Sequence, residues 1–180
     1  LIPGKSFTGG CEIINGRKLA AELLNSKSVH GGGSWLVNKR IINQIRDRSG
    51  FFASPQNLEF FSVRASCALS KYVARIDLPL WIMGRHQGSS GTQALSRDSN
   101  HQESMWDWSF EDPDSFQYSP YQYKGYTPIS LDGALRVKHD FSEELQGIDV
   151  DMQYWALSAI LDIEKMIFIN LHTVHLMLRW

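Results

Sequence analysis

Cysteine is scarce in this chain. Cys11 and Cys67 are the only two, and they lie far apart. That excludes a cysteine-based metal knuckle and a multi-bridge disulfide framework, and leaves open one disulfide or two free thiols. An excess of charge of either sign is also missing. Eighteen Lys and Arg face nineteen Asp and Glu, for a net charge of −1. No basic field therefore argues for nucleic acid as a partner. No apolar run reaches the roughly 20 residues of a membrane-spanning helix, so no transmembrane segment is expected. There is no internal repeat and no low-complexity tract. An initiator methionine is absent too: the sequence opens on Leu1, which leans towards a processed, secreted product.

What is present is ordinary for a globular protein. The 180 residues are 43 % apolar and suffice for one domain with one core. Six tryptophans and nine phenylalanines are generous for that length. They fill a core or, in the sharper reading, line an apolar substrate groove.

Residues 1–26 read as an N-terminal arm, irregular through residue 10. A strand turn and a short helix then fall within residues 13–24, through Lys18, Leu19, Ala20, Ala21, Leu23 and Leu24. In residues 36–48, Val37, Ile41, Ile42 and Ile45 share one helical face, and Gly50 is placed to cap that helix. A helical period also runs through residues 65–76, by way of Leu69, Tyr72, Val73 and Ile76. Residues 78–83 form a continuous apolar run that fits a strand buried on both faces. Residues 96–127 read as a long loop. Beyond it, residues 129–137 are expected as a strand, 141–145 as a helical turn, 151–160 as a helix, 165–170 as a strand and 172–175 as a loop. Such alternation favours a mostly parallel sheet covered by helices on both faces.

Two segments carry the chemical patterns. His30-Gly31-Gly32-Gly33-Ser34-Trp35 is a glycine turn able to offer backbone N–H groups to an oxyanion. Leu80-Trp81-Ile82-Met83 followed by Gly84-Arg85-His86-Gln87-Gly88-Ser89-Ser90-Gly91 reads as strand, tight turn and helix start. Acyl transfer needs a nucleophile, a base, a carboxylate to orient the base, and oxyanion donors. Carboxylate candidates are Asp132, Asp140, Asp149 and Asp151; His172 and His175 come last. Asp149 and Asp151 flank Val150, so they share a face on a strand. They serve equally as a solvated helix start, where Asp is favoured. His172 and His175 have metal-ligand spacing but no convincing third ligand, so no metal is expected. Met83, Met152, Met166 and Met177 read as core filler.

In this order the segments resemble the α/β-hydrolases, specifically the small cap-less bacterial lipases. The likeness spans roughly residues 27–95 and 128–178, and is most specific from Asp151-Met152 through Leu161-Asp162 and Lys165–Asn170 to Thr173-Val174-His175-Leu176. It implies a single-domain, three-layer α/β fold and a carboxylic-ester hydrolase acting on lipid-like or small esters, without a cofactor. By that resemblance Asp151 is the triad acid, His175 the base, and Gly31, Gly32 and Gln87 the oxyanion donors. The family pattern Gly-x-Ser-x-Gly is broken here by His86. The nucleophile is then Ser89 or Ser90 after a local shift of the turn, or His86 itself.

Two rival classes are expected to differ in their partners. Asp149-Val150-Asp151 resembles the Asp-x-Asp metal site of nucleotide-sugar glycosyltransferases, with manganese as the implied ion. The other rival is a non-catalytic binding protein on a hydrolase fold. Residues 81–85 also resemble a dihydrofolate reductase segment, without that family's order elsewhere. Nothing in the sequence sets an oligomeric state.

Overall fold

The computed structural model describes residues 9–26, 35–53, 58–77, 116–123 and 126–177. Along them run β1 (Cys11–Asn15), α1 (Gly16–Leu24), α2 (Lys39–Ser49), α3 (Leu58–Leu69), β2 (Tyr72–Ile76), α4 (Tyr126–Asp140) and α5 (Met152–Met177). Among the described residues the only sheet is β1 paired antiparallel with β2, in the register Cys11↔Ile76 to Asn15↔Tyr72. This overturns the expected three-layer fold with a mostly parallel sheet, and with it the α/β-hydrolase resemblance. Residues 78–83, expected as the central strand, lie outside the described residues.

The first two helices form where local signals agree. Asn15 caps α1, its Oδ1 accepting from the Lys18 amide at 3.0 Å. Leu19, Ala20, Leu23 and Leu24 then recur at three- and four-residue spacing and are buried. Asn38 caps α2 in the same way, accepting from the Arg40 amide at 2.8 Å. Gly50 ends that helix in the left-handed region, φ 80°, and its amide donates to the Arg46 carbonyl at 2.9 Å.

The central element is α3. Every residue from Phe61 to Ala68 is buried, and the helix packs against α1, α2 and α4. The helical period expected through Ile76 stops early. The Ser70 hydroxyl donates to the Ser66 carbonyl at 2.7 Å, and the Ser70 amide to the Cys67 carbonyl at 3.2 Å. Tyr72 to Ile76 then extends, because β1 offers it a ladder. Pairing between distant segments overrides a local 3.6-residue coincidence.

Residues 129–137, expected as a strand, lie inside α4. Pro128 sits in its first turn, where a missing amide hydrogen costs nothing. Ser130, Gly133 and Ala134 let α4 approach α3 closely; a Cβ at Gly133 would lie 3.3 Å from the Phe60 carbonyl carbon and the Phe61 amide. The expected turn at 141–145 does follow, with the Leu145 amide donating to the Phe141 carbonyl at 3.1 Å. The strand at 165–170 and the loop at 172–175 are corrected likewise. Both belong to α5, which contains neither glycine nor proline and so meets no helix breaker.

Phe61, Phe141 and Trp155 are fully buried, which makes these aromatics core filling rather than groove lining. The phenyl rings of Phe51 and Phe61 lie 5.0 Å apart, and those of Phe61 and Phe141 6.4 Å apart. Met152, by contrast, is exposed. Both thiols are free: Cys11 is exposed, while burial pushes the Cys67 thiol up to about 12 and keeps it unreactive.

Two large buried side chains carry polar groups that close the end of α1. Arg64 is wholly buried in α3 and donates to the carbonyls of Leu23 at 2.7 Å, Ser26 at 2.7 Å and Phe60 at 2.8 Å, and to Ser130 Oγ at 2.9 Å. The Trp155 indole donates to the Leu24 carbonyl at 3.0 Å. Arg64 and Trp155 thus cap the C-terminal carbonyls of α1, which have no intrahelical donors. Burial pulls the guanidinium down to about 9, with Tyr154 opposing the shift, so the group stays charged at neutral pH.

Asp132, one of the carboxylates considered for acyl transfer, is a structural acceptor. Its Oδ1 takes the amides of Tyr118 at 2.8 Å and Ser119 at 3.0 Å. Burial raises its pKa, opposed by those two bonds and by Arg136. A raised folded-state value means that its contribution is fully present below the unfolded value of about 4 and is lost as pH rises through the folded value. Asp132→Asn keeps an acceptor oxygen and removes the titration. Urea unfolding of the two proteins from acid to neutral pH should therefore show Asp132→Asn gaining on the wild type as pH rises. A difference that stays flat with pH would contradict this account.

Candidate interaction surface

The residues expected to carry chemistry do not assemble among the described residues. Gly31, Gly32, His86, Gln87, Ser89 and Ser90 all lie outside them. Asp151 is the N-cap of α5: its Oδ1 accepts from the amides of Gln153 and Tyr154, both at 3.0 Å. Its own amide donates to Asn25 Oδ1 at 2.7 Å, and Asn25 Nδ2 donates to the Asp149 carbonyl at 3.3 Å. The helix-start reading of this aspartate therefore matches its geometry. His175 lies in the last turns of the same helix. At about 1.5 Å per residue, the intervening helix spans about 36 Å.

The corrections to function follow. Among the described residues no hydrolase sheet supports an ester hydrolase, and nothing there supports a lipid or small-ester substrate. Among the described residues no group of three His, Cys, Asp or Glu side chains could hold a metal ion, so the Asp149/Asp151 metal site of the glycosyltransferase reading finds no support either. Asp149 lies 3.9 Å from Lys138, as one half of a surface ion pair.

Among the described residues one histidine–carboxylate pair lies elsewhere. His139 Nδ1 is 2.9 Å from Asp140 Oδ1, and Asp140 Oδ2 is 3.6 Å from Arg136 Nε. The Arg136 guanidinium stacks on Phe51 at 4.3 Å and lies 5.8 Å from both Phe61 and Tyr118. The His139 ring packs against Tyr118 at 5.4 Å. This is a cation–aromatic seam along α4 with a carboxylate lock.

The most unusual surface is on α5. Its inner face is well held. Trp155, Ser158 and Ala159 are buried. Asp162 reaches the start of α4, accepting from the Thr127 amide at 3.1 Å, from the Thr127 hydroxyl and from the Tyr123 hydroxyl at 3.5 Å. The Asp162 carboxylate thereby satisfies an orphan amide of the α4 N-terminus. Burial, reinforced by Asp162 and Tyr121 and opposed only by the hydrogen bond with Thr127, pushes the Tyr123 phenol up to about 12.

The outer face is apolar and uncovered. Leu157 is 58 %, Ile160 61 %, Leu161 44 %, Ile163 42 % and Ile167 55 % exposed. At 100° per residue these side chains sweep the side of the helix away from Trp155. Gln153 and Glu164 share that side and are exposed. Single exposed leucines need no explanation, but a contiguous apolar stripe of several hundred Å² does.

The signal for this surface stood in the sequence. Leu157, Ile160, Glu164 and Ile167 follow a three-four spacing, that of a coiled-coil seam. Dividing residues 151–175 into helix, strand and loop hides it. No helix of the described residues is long and apolar enough to cross a membrane. No protein-family model, no curated protein and no solved structure matches the chain.

Proposed function

We propose that this chain is a protein-docking module, with the helices around α3 as a scaffold and α5 as the docking element. The observation that carries the reading is the row of exposed aliphatic side chains on α5, set on the side of the helix away from its buried tryptophan. Leaving such a stripe in water is unfavourable by roughly 25 cal/mol per Å² of apolar surface, which a partner surface recovers. The chemistry of the stripe suits a protein partner. It is aliphatic, interrupted by Glu164, and without the lysine- and arginine-rich flanks that hold an amphipathic helix on an anionic membrane.

The test is a combined variant, Leu157→Gln, Ile160→Gln and Ile167→Gln. Glutamine is a good helix former, and surface substitutions ordinarily change stability by about 0.5 kcal/mol or less each. At low protein concentration the melting temperature should stay within about 5 °C of the wild type. Binding of a hydrophobic dye to the native protein should fall severalfold. A variant that unfolds or loses more than about 5 kcal/mol would show that the stripe packs inside its own chain, and would overturn the reading.

A further inference from the structure

We infer that α2 binds double-stranded DNA in the major groove, by a surface separate from the α5 stripe. The net charge of −1 conceals a local excess of cations. Within its 11 residues α2 holds Lys39, Arg40, Arg46 and Arg48 against one acid, Asp47. All four cations are exposed. Arg48 is already engaged, in an ion pair with Glu144 at 2.6 Å and over the Phe141 ring at 5.5 Å. Lys39, Arg40 and Arg46 pair with no carboxylate among the described residues. Lys39 and Arg40 stand in the first turn, with no acid beside them. Cations there oppose the helix dipole, and an anion set before the helix offsets both.

The shape of the surface narrows the choice of polyanion. α2 is held along one line: Ile45 alone is fully buried, Ile41 and Ile42 are half-buried beside it, and the helix packs on α3. At about 100° per residue, the remaining arc runs from Arg46 and Lys39 on one border, through Asn43, Asp47 and Arg40, to Arg48 on the other. That arc covers more than half of the circumference. A helix about 10–12 Å across, exposed in this way, fits the roughly 12 Å major groove of B-DNA. The border cations then meet phosphates of both strands, while the middle of the arc meets base edges. Arginine suits guanine there, asparagine suits adenine, and aspartate accepts from cytosine. A flat acidic protein surface would instead set carboxylates against Asp47. Duplex RNA has a major groove too narrow for a helix. Single strands are held on aromatic platforms, and α2 has no aromatic residue. An anionic membrane takes up a free apolar face, whereas Ile41 and Ile45 pack on the core.

The experiment is fluorescence anisotropy of the full chain with a short labelled DNA duplex of mixed sequence. Binding should be micromolar at about 50 mM salt and about fortyfold weaker or more at about 200 mM, as three or four phosphate contacts require. No binding at about 100 µM protein and about 50 mM salt overturns the proposal. Lys39→Gln with Arg46→Gln should lower the slope of log affinity against log salt by about two, with helical circular dichroism retained. Lys71→Gln with Arg75→Gln removes the same charge from β2 and should change affinity by no more than about threefold. Equal losses in the two double variants would show diffuse attraction and overturn the placement on α2. On the tightest duplex drawn from a random pool, Asn43→Ala should lose about tenfold, with binding to the mixed duplex unchanged. That comparison still decides should the α2 double variant fail to fold, and equal losses on both duplexes overturn base reading. Duplex RNA of the same sequence and poly-glutamate should each bind about tenfold more weakly than DNA or worse. Poly-glutamate binding as tight as DNA overturns the groove in favour of an acidic protein, and RNA binding as tight overturns it as well.

Discussion

Arg64→Ala should lose about 5 kcal/mol or more of stability, enough to unfold a protein near the lower end of the usual 5–15 kcal/mol range. The guanidinium is a four-way connector. It holds α1 through Leu23 and Ser26, its own helix through Phe60, and α4 through Ser130. It also lies near the rings of Phe60 at 5.9 Å and Trp155 at 6.0 Å. Truncation removes donors from buried carbonyls at about 1–3 kcal/mol each and leaves a cavity where a large side chain stood. Arg64→Lys should fail nearly as badly, because an ammonium lacks the planar fork that meets several acceptors at once. Arg64→Met restores volume but no donors, so it should fall between the wild type and Ala. Urea unfolding followed by tryptophan fluorescence measures the series, and Trp155 reports directly from the affected site. A loss below about 1 kcal/mol in the alanine variant would show that the carbonyls find water or other donors, and the connector role would be wrong.

Gly16→Ala is expected to cost about 3 kcal/mol or more, a large effect for one added methyl group. A Cβ at this position would stand 1.8 Å from the Ser70 carbonyl oxygen and 2.7 Å from that of Cys67. Both obstacles are backbone at the end of α3, so no rotamer change relieves them. The Gly16 amide also donates to the Lys71 carbonyl at 3.1 Å, which fixes the approach. The variant must separate the β1–α1 corner from α3 to fit. Hydrogen exchange should then accelerate in residues 11–24 ahead of α4. Gly50→Ala is the contrasting case: nothing stands within 4 Å of its would-be Cβ, and only its φ of 80° is strained. It should cost about 1 kcal/mol. Equal effects at the two glycines would mean that conformational freedom, not close approach, explains Gly16.

What sequence reading captures here is what neighbours in the chain decide. The Asn15-to-Leu24 and Asn38-to-Gly50 stretches each carry a cap, a clean apolar period and a stop, and both are helices. Asp151 was legible as a helix start for the same reason. The failures lie where burial is not one-sided. In α4, Thr127 through Ala134 is all buried, so no polar face marks the helical period. Lys165–Asn170 is rich in β-branched and aromatic residues, yet it continues a helix already nucleated at Asp151. Tyr72 to Ile76 carries a helical spacing but meets β1, a partner some sixty residues away. The docking stripe was written in the sequence as a seven-residue repeat; its exposure was not, because only the packing of Trp155, Ser158 and Ala159 determines which side of α5 faces outward.

The capping of α1 from distant parts of the chain has a consequence for how the protein is made. Ribosomes add about 5–20 residues per second. The strand that pairs with Cys11–Asn15 therefore emerges several seconds after it, and the indole that closes the Leu24 carbonyl follows more than 130 residues behind it. For the first part of that interval the amphipathic residues 16–24 lack α3, the helix against which they chiefly pack. A nascent chain stalled before residue 58 should carry α1 exposed to chaperones and proteases, and one stalled before residue 155 should still leave the Leu24 carbonyl without its indole donor.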